Sequence, residues 1–226
     1  MVRTLLTGLA VSVSCLGVGH AFGGAYLGVD LGIGHASIQH KYSDVTGSGK
    51  VTKATTGAVY GAHAGYLYEI GTSKTIVGGE LYGNTSSPTP SFSVGTDNFA
   101  VQGEVKIKRT MAVGGALVVG KMFNLKTMLY GRLAYEFATF EHRYSFRTTS
   151  IIPQFAGKSL KKNTSIGGAV MGLGLAYKVS RMMMAGAEYQ FAGMYGRHKS
   201  VGQANFKTEI EPVEHRLLLK VSFVFG

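Results

Sequence analysis

Residues 25–35 read AYLGVDLGIGH, and the fold follows from how that stretch is parsed. Its odd positions are Leu27, Val29, Leu31 and Ile33; its even positions include Tyr26, Gly28, Asp30, Gly32 and Gly34. A period of two, rather than 3.6, is the strand signature, because successive side chains point to opposite faces of a sheet. One face is apolar, and the other carries glycines and a carboxylate.

The same alternation recurs in seven further segments. Residues 56–70 set Ala62, Ala64, Tyr66 and Tyr68 against Gly61, His63 and Gly65; residues 75–83 set Val77 and Leu81 against Gly78, Glu80 and Tyr82. In residues 105–120, Ile107, Met111, Val113, Leu117 and Val119 oppose Lys106, Lys108, Gly114 and Ala116. Residues 127–140 pair Leu129, Leu133, Tyr135 and Phe137 with Tyr130, Arg132, Ala134 and Glu136. Residues 165–177 oppose Leu173, Leu175 and Tyr177 to Gly172, Gly174 and Ala176. In residues 182–195, Ala185, Ala187, Tyr189 and Phe191 face away from Gly186, Glu188 and Gln190. The last segment, 214–225, sets Leu217, Leu219, Val221, Phe223 and Phe225 against Arg216, Leu218, Lys220 and Ser222.

The gaps alternate as well. Those around 41–54, 84–104, 141–164 and 196–213 are long and polar, whereas those around 71–74, 121–126 and 178–181 are tight. Long loops at one end, short turns at the other and an even strand number predict an all-β, eight-stranded, antiparallel up-and-down transmembrane barrel. A secreted eight-stranded barrel with an apolar interior is the alternative. Aromatics near the ends of the apolar faces (Tyr66, Tyr68, Tyr177, Tyr189, Phe223, Phe225) favour the membrane form, as interfacial girdles do.

Composition agrees. There are 33 glycines in 226 residues, no tryptophan, 45% hydrophobic and only 15% charged residues. Such a chain can fill a core, which argues against disorder. The net charge is +11 and the one cysteine, Cys15, excludes an intrachain disulfide framework. Arg3, an apolar run from Leu5 to Val18 and Gly19-His20-Ala21 read as a secretory signal cleaved after Ala21. The expected domains are a leader, 1–21, and a barrel, 22–226. A lipoprotein signal ending at Cys15 lacks the leucine expected three residues earlier. Export makes nucleic acid an unsuitable partner.

The chain resembles the eight-stranded outer-membrane barrels of the OmpX, OmpA-transmembrane and opacity-protein type. The residues that carry the resemblance are Tyr26 to Gly32, Gly78 to Gly83, Met128 to Tyr135, Ala187-Glu188-Tyr189 and His215-Arg216-Leu217. The resemblance implies a porin-like multi-pass protein of the bacterial outer membrane, assembled by the barrel-assembly machinery. It also implies extracellular loops that bind or adhere. These barrels usually end in an aromatic residue, whereas here Gly226 follows Phe225, which is expected to weaken recognition by that machinery.

With the apolar face toward lipid, the opposite face forms the lumen. It is expected to hold an ion-pair network of Asp30, Glu80, Lys106, Lys108, Arg132, Glu136, Glu188, Arg216 and Lys220, centred on Arg132, Glu80, Glu136 and Glu188. Eight strands leave room only for side chains, so Gly28, Gly32, Gly61, Gly65, Gly172 and Gly174 would make space for the long charged ones. Buried charges persist when paired and hydrogen-bonded. Rearranging pairs would instead open a small ion-conducting pore.

No enzyme, cofactor or metal site is expected. Paired lumenal carboxylates lack a cleft for a sugar, and the glycines of the first strand precede no helix. His198-Lys199-Ser200 resembles the His-x-Ser pair of lipid A deacylases, with Glu209, Glu211 and Glu214 downstream. However, Val201 replaces the usual asparagine, and extended alternation turns the pair toward the lumen.

Binding is expected in the long loops. Arg143, Arg147, Lys158, Lys161 and Lys162 lie among Phe146, Ile151, Ile152 and Phe155 in the third. Basic and apolar together suit outer-membrane lipids and lipopolysaccharide, or an acidic ligand on a host or neighbouring cell. Residues 86–93, with Pro88 and Pro90, read as the tip of the second loop.

Overall fold

A computed structural model describes residues 22–43, 48–94, 103–146, 159–194 and 207–225. They form β1 (Gly24–Ser43), β2 (Ser48–Ile70), β3 (Thr75–Ser86), β4 (Ser91–Val94) and β5 (Gly103–Met122). After these come β6 (Thr127–Phe146), β7 (Ser159–Lys178), β8 (Met183–Met194) and β9 (Lys207–Phe225). Every neighbouring pair is antiparallel, in the order β3-β2-β1-β9-β8-β7-β6-β5-β4, and a β3–β5 pairing closes the sheet on itself.

The nine strands make eight staves, because β3 and β4 are two pieces of one. β3 pairs with the lower part of β5, from Thr75↔Lys121 to Asn84↔Ala112; β4 pairs with its upper part, from Ser91↔Lys106 to Val94↔Gly103. Residues 86–93, expected as a loop tip, instead run along the wall. Ser87 N donates to Ala58 O at 2.9 Å, and Ile107 N donates to Pro90 O at 3.1 Å. Proline has no N–H to give a ladder, so Pro88 and Pro90 interrupt the strand without turning it outward.

The tight turns sit where the spacing puts them. Ser73 Oγ donates to Ile70 O at 2.7 Å, and Asn124 Oδ1 accepts from Lys126 N at 2.8 Å. Gly71 and Lys74 take φ of 51° and 56°, the left-handed region where glycine is at ease. At the other end the strands run further than the segments suggested. β1 continues to Ser43, β6 to Phe146, and β7 begins at Ser159. Much of what reads as first and third loop is therefore wall.

Outward faces carry exposed Leu27, Val29, Leu31, Leu133, Leu173 and Leu219. This belt, residues 25–33 on β1, spans roughly 25 Å along the strand, or roughly 20 Å of height at the usual strand tilt of about 40°, most of the apolar band of an outer-membrane barrel. The core lies inside. Its lower layer packs Phe22, Ile76, Met122, Met128 and Met184, and its upper layer packs Ile38, Val105, Ile107, Phe140 and Met194. Charge occupies the middle. The expected leader, 1–21, lies outside the described residues.

Candidate functional site: the charged layers of the lumen

The lumenal charges form two linked clusters, each of two cations and two carboxylates. In the upper one, Arg216 grips Glu136 with both prongs, Nη1–Oε2 2.9 Å and Nη2–Oε1 2.8 Å, and reaches Glu214 at 2.9 Å. Arg109 meets Glu136 at 2.9 Å and Glu214 at 3.0 Å, and donates to Asn84 Oδ1. In the lower cluster Arg132 pairs with Glu80 at 3.0 Å, while Lys220 spans Glu80 at 3.1 Å and Glu188 at 3.2 Å. Gln190 joins them, donating to Glu188 at 2.6 Å and accepting from Arg216 at 3.3 Å. Equal numbers of opposite charge, each hydrogen-bonded, are what the interior of a barrel tolerates.

Three tyrosines frame the lower cluster. Tyr26 donates to Glu80 at 3.0 Å, Tyr130 donates to Glu188 at 2.7 Å, and the Arg132 guanidinium lies 4.1 Å above the Tyr82 ring. Tyr26 and Tyr130 lie across Gly65 and Gly174, their cross-strand partners, where a Cβ would overlap the phenol. Those two glycines thus make room for tyrosines rather than for long charged side chains.

A third group stands beside the lower cluster. His63 Nε2 lies 2.8 Å from Ser222 Oγ, and its Nδ1 lies 2.9 Å from Asp30 Oδ1. The order is that of a Ser-His-Asp relay, but Asp30 Oδ1 and His63 Nδ1 make no aligned hydrogen bond to each other. β1 and β8 pair with β9 on either side of Ser222, so ladder bonds occupy the backbone donors that an oxyanion would need.

Seven of the nine residues expected in the lumen are there: Asp30, Glu80, Arg132, Glu136, Glu188, Arg216 and Lys220. Glu136 belongs to Arg216 and Arg109, not to Arg132. Lys106 and Lys108 do not belong inside. A bulge between Arg109 and Met111 inserts Thr110 and shifts the register with β6, so alternation changes face there. Above it Val105, Ile107 and Arg109 are buried, and Lys106 and Lys108 point outward. Extending one alternation through the bulge hid Arg109, and no glycine or proline in residues 105–111 marks the place. Glu214, Asn84, Gln190 and Ser222 were legible as inward positions once β3, β8 and β9 were phased.

Of the basic residues expected in the third loop, Arg143 lies on β6 and Lys161 and Lys162 on β7; Arg147 and Lys158 fall outside the described residues. Lys161 Nζ lies 2.8 Å from Glu141, which Arg143 also contacts. Hydrogen bonds from Lys161 and Arg143 hold the Glu141 carboxyl below the usual carboxylate range. His198 and Ser200 lie outside the described residues. Among the described residues no group of three metal-ligating side chains converges.

No family model matches the chain, and no curated protein matches it. Solved structures do. The outer membrane protein OprG from Pseudomonas aeruginosa is 17% identical with a TM-score of 0.55, over 90% of this chain and 97% of that one. Neisserial surface protein A (NspA) is 13% identical with a TM-score of 0.38, over 86% and 97%. Ail, the attachment invasion locus protein of Yersinia pestis, is 16% identical with a TM-score of 0.34, over 86% and 99%. The fold is that of the eight-stranded outer-membrane β-barrel proteins, and among these three the likeness to OprG carries it.

Proposed function

We propose that the protein is a non-enzymatic surface protein of the bacterial outer membrane. Its barrel is a closed scaffold, and it binds other molecules through its outer wall and its loops. The observation that carries this reading is the filling of the lumen: two balanced charge clusters lie between two apolar layers. The cavity beside the lower cluster holds about 30 Å³ and that above the upper one about 20 Å³, room for a water or two. A pore needs a continuous wet path, which these layers interrupt.

Catalysis is not assigned to Ser222. Its histidine is misaligned with Asp30, and it is 2% exposed. A fluorophosphonate probe on folded protein is expected to leave Ser222 unmodified; stoichiometric labelling would contradict this.

Binding, with an acidic ligand on a host or neighbouring cell as its object, is assigned to the loops and the wall above the belt. The test replaces residues 147–158 and 195–206 by short Gly-Ser turns in bacteria displaying the protein. Several-fold loss of attachment, with surface display unchanged, supports the reading. Unchanged attachment overturns it.

A further inference from the structure

The tight turns carry cations that the fold leaves without partners. Lys74, Lys121, Lys126 and Arg181 are exposed there, and among the described residues none of the four pairs with a carboxylate. At the opposite end Lys41, Lys106, Arg143 and Lys161 each lie 3.9 Å or less from a carboxylate oxygen.

The sheet gathers the four into one arc. Thr75, next to Lys74, is the register partner of Lys121, and Met122 N donates to Lys74 O at 2.9 Å. Lys178 N donates to Lys126 O at 2.7 Å, which joins the second turn to the strand that leads into the third, where Arg181 stands. Side chains cap two of these turns: Asn124 Oδ1 accepts from Lys126 N at 2.8 Å, and Ser180 Oγ accepts from Met182 N at 3.3 Å. Around the rest of this end, residues 22–29, 64–70 and 221–225 hold no cation and one carboxylate, Glu69. The charge lies on the side from β3 to β8.

Depth and neighbours narrow the anion. Lys121 is the register partner of Leu129, the exposed apolar residue of β6 nearest the turns. Phe123 lies two residues beyond Lys121, roughly 7 Å along the strand. A headgroup layer is about 5–8 Å deep on each side of the hydrocarbon, so cations and turn tips share it. Phe123 and Leu125 are 65% and 74% exposed, and Val179 and Met182, on either side of Arg181, are 49% and 61% exposed. A soluble acidic polymer would leave these four apolar side chains in water. A phospholipid covers both kinds at once, with its phosphate on the cations and its glycerol and first acyl carbons against the apolar tips.

We propose that the turn rim from β3 to β8 binds anionic glycerophospholipid of the inner leaflet, its headgroup phosphates on Lys74, Lys121, Lys126 and Arg181. The proposal rests on the outer-membrane reading, in which short turns face the periplasm, and adds a lipid preference to it.

The experiment refolds the full barrel into phosphatidylcholine vesicles that carry a trace of spin-labelled phosphatidylglycerol or of spin-labelled phosphatidylcholine. It compares the fractions of the two labels that the protein immobilises at low salt. The parent is expected to favour phosphatidylglycerol at least twofold, and the preference to fade at high salt, because exposed charges are screened. The quadruple variant Lys74→Gln, Lys121→Gln, Lys126→Gln, Arg181→Gln should bring the ratio close to one. The pair Lys121→Gln, Lys126→Gln should lower it partway, a reading that stands even where the quadruple variant does not insert. Lys106→Gln with Lys108→Gln removes the same charge as that pair from the opposite end and should leave the ratio unchanged. A parent without preference overturns the proposal, as does a quadruple or paired variant that keeps the parent's ratio. An equal loss in the Lys106, Lys108 variant would mean net charge rather than a site, and also overturns it. Polyglutamate bound by the detergent-solubilised parent through these cations, with no lipid preference in vesicles, would assign the rim to a soluble acidic polymer instead. Failure of the parent to insert into the vesicles would overturn the membrane reading, a separate result.

Discussion

Arg216 and Glu136 meet fork to fork inside the barrel, at 2.8 and 2.9 Å, and neither side chain is exposed. A two-pronged guanidinium–carboxylate contact fixes both side chains in one plane as well as neutralising them. Arg109 and Glu214 complete that charge balance from β5 and β9. The cluster therefore ties together staves far apart in the chain.

Removing one member should be costly, because it leaves an uncompensated charge in the interior. Arg216→Ala is expected to lose about 3–5 kcal/mol, read from urea unfolding of the vesicle-inserted barrel. A wild-type unfolding midpoint would show that the cluster contributes nothing to stability.

The opposite substitution tests which face meets lipid. Leu219 is 63% exposed and lies between inward Leu218 and Lys220. Leu219→Arg should destabilise the inserted barrel by about 2–4 kcal/mol if it sits near the midplane. Normal insertion and stability would mean that the faces have been assigned the wrong way round.

Thr110 offers a test of the bulge. Its hydroxyl donates to Thr139 O at 3.1 Å, and its carbonyl accepts from Thr85 Oγ1 at 2.7 Å. Deleting Thr110 makes Arg109 and Met111 neighbours that already lie on opposite faces, so both halves of β5 should keep their faces and pair with Phe140 and Thr139 as a regular ladder. The yield of heat-modifiable folded barrel should stay near that of the parent. A several-fold fall would show that the extra residue itself is needed to fold the wall.

The bulge also marks where sequence reading reached its limit. Alternation alone located eight staves and the tight turns, since a one-residue period error would have scattered Leu27, Leu133 and Leu219 over both faces. It placed Glu80, Arg132, Glu188 and Lys220 inward for the same reason. It could not see Thr110, because an extra residue changes the phase without changing the composition. Lys106 and Lys108 went to the wrong face as a result, and Arg109 was missed. Pro88 and Pro90 misled differently: they are turn formers in most contexts, but here neighbouring strands hold the chain straight. The division of the network into two clusters depends on which carboxylate each arginine reaches. Spacing along a strand does not encode that.

The central claim is that the lumen is shut by its own side chains, and single-channel recording in a planar bilayer tests it most directly. Protein shown to have inserted by its heat-modifiable mobility is expected to pass no discrete currents. Regular conductance steps, altered in size or ion preference by Arg216→Ala or Glu136→Gln, would contradict the closed barrel and make the charged layers an ion path.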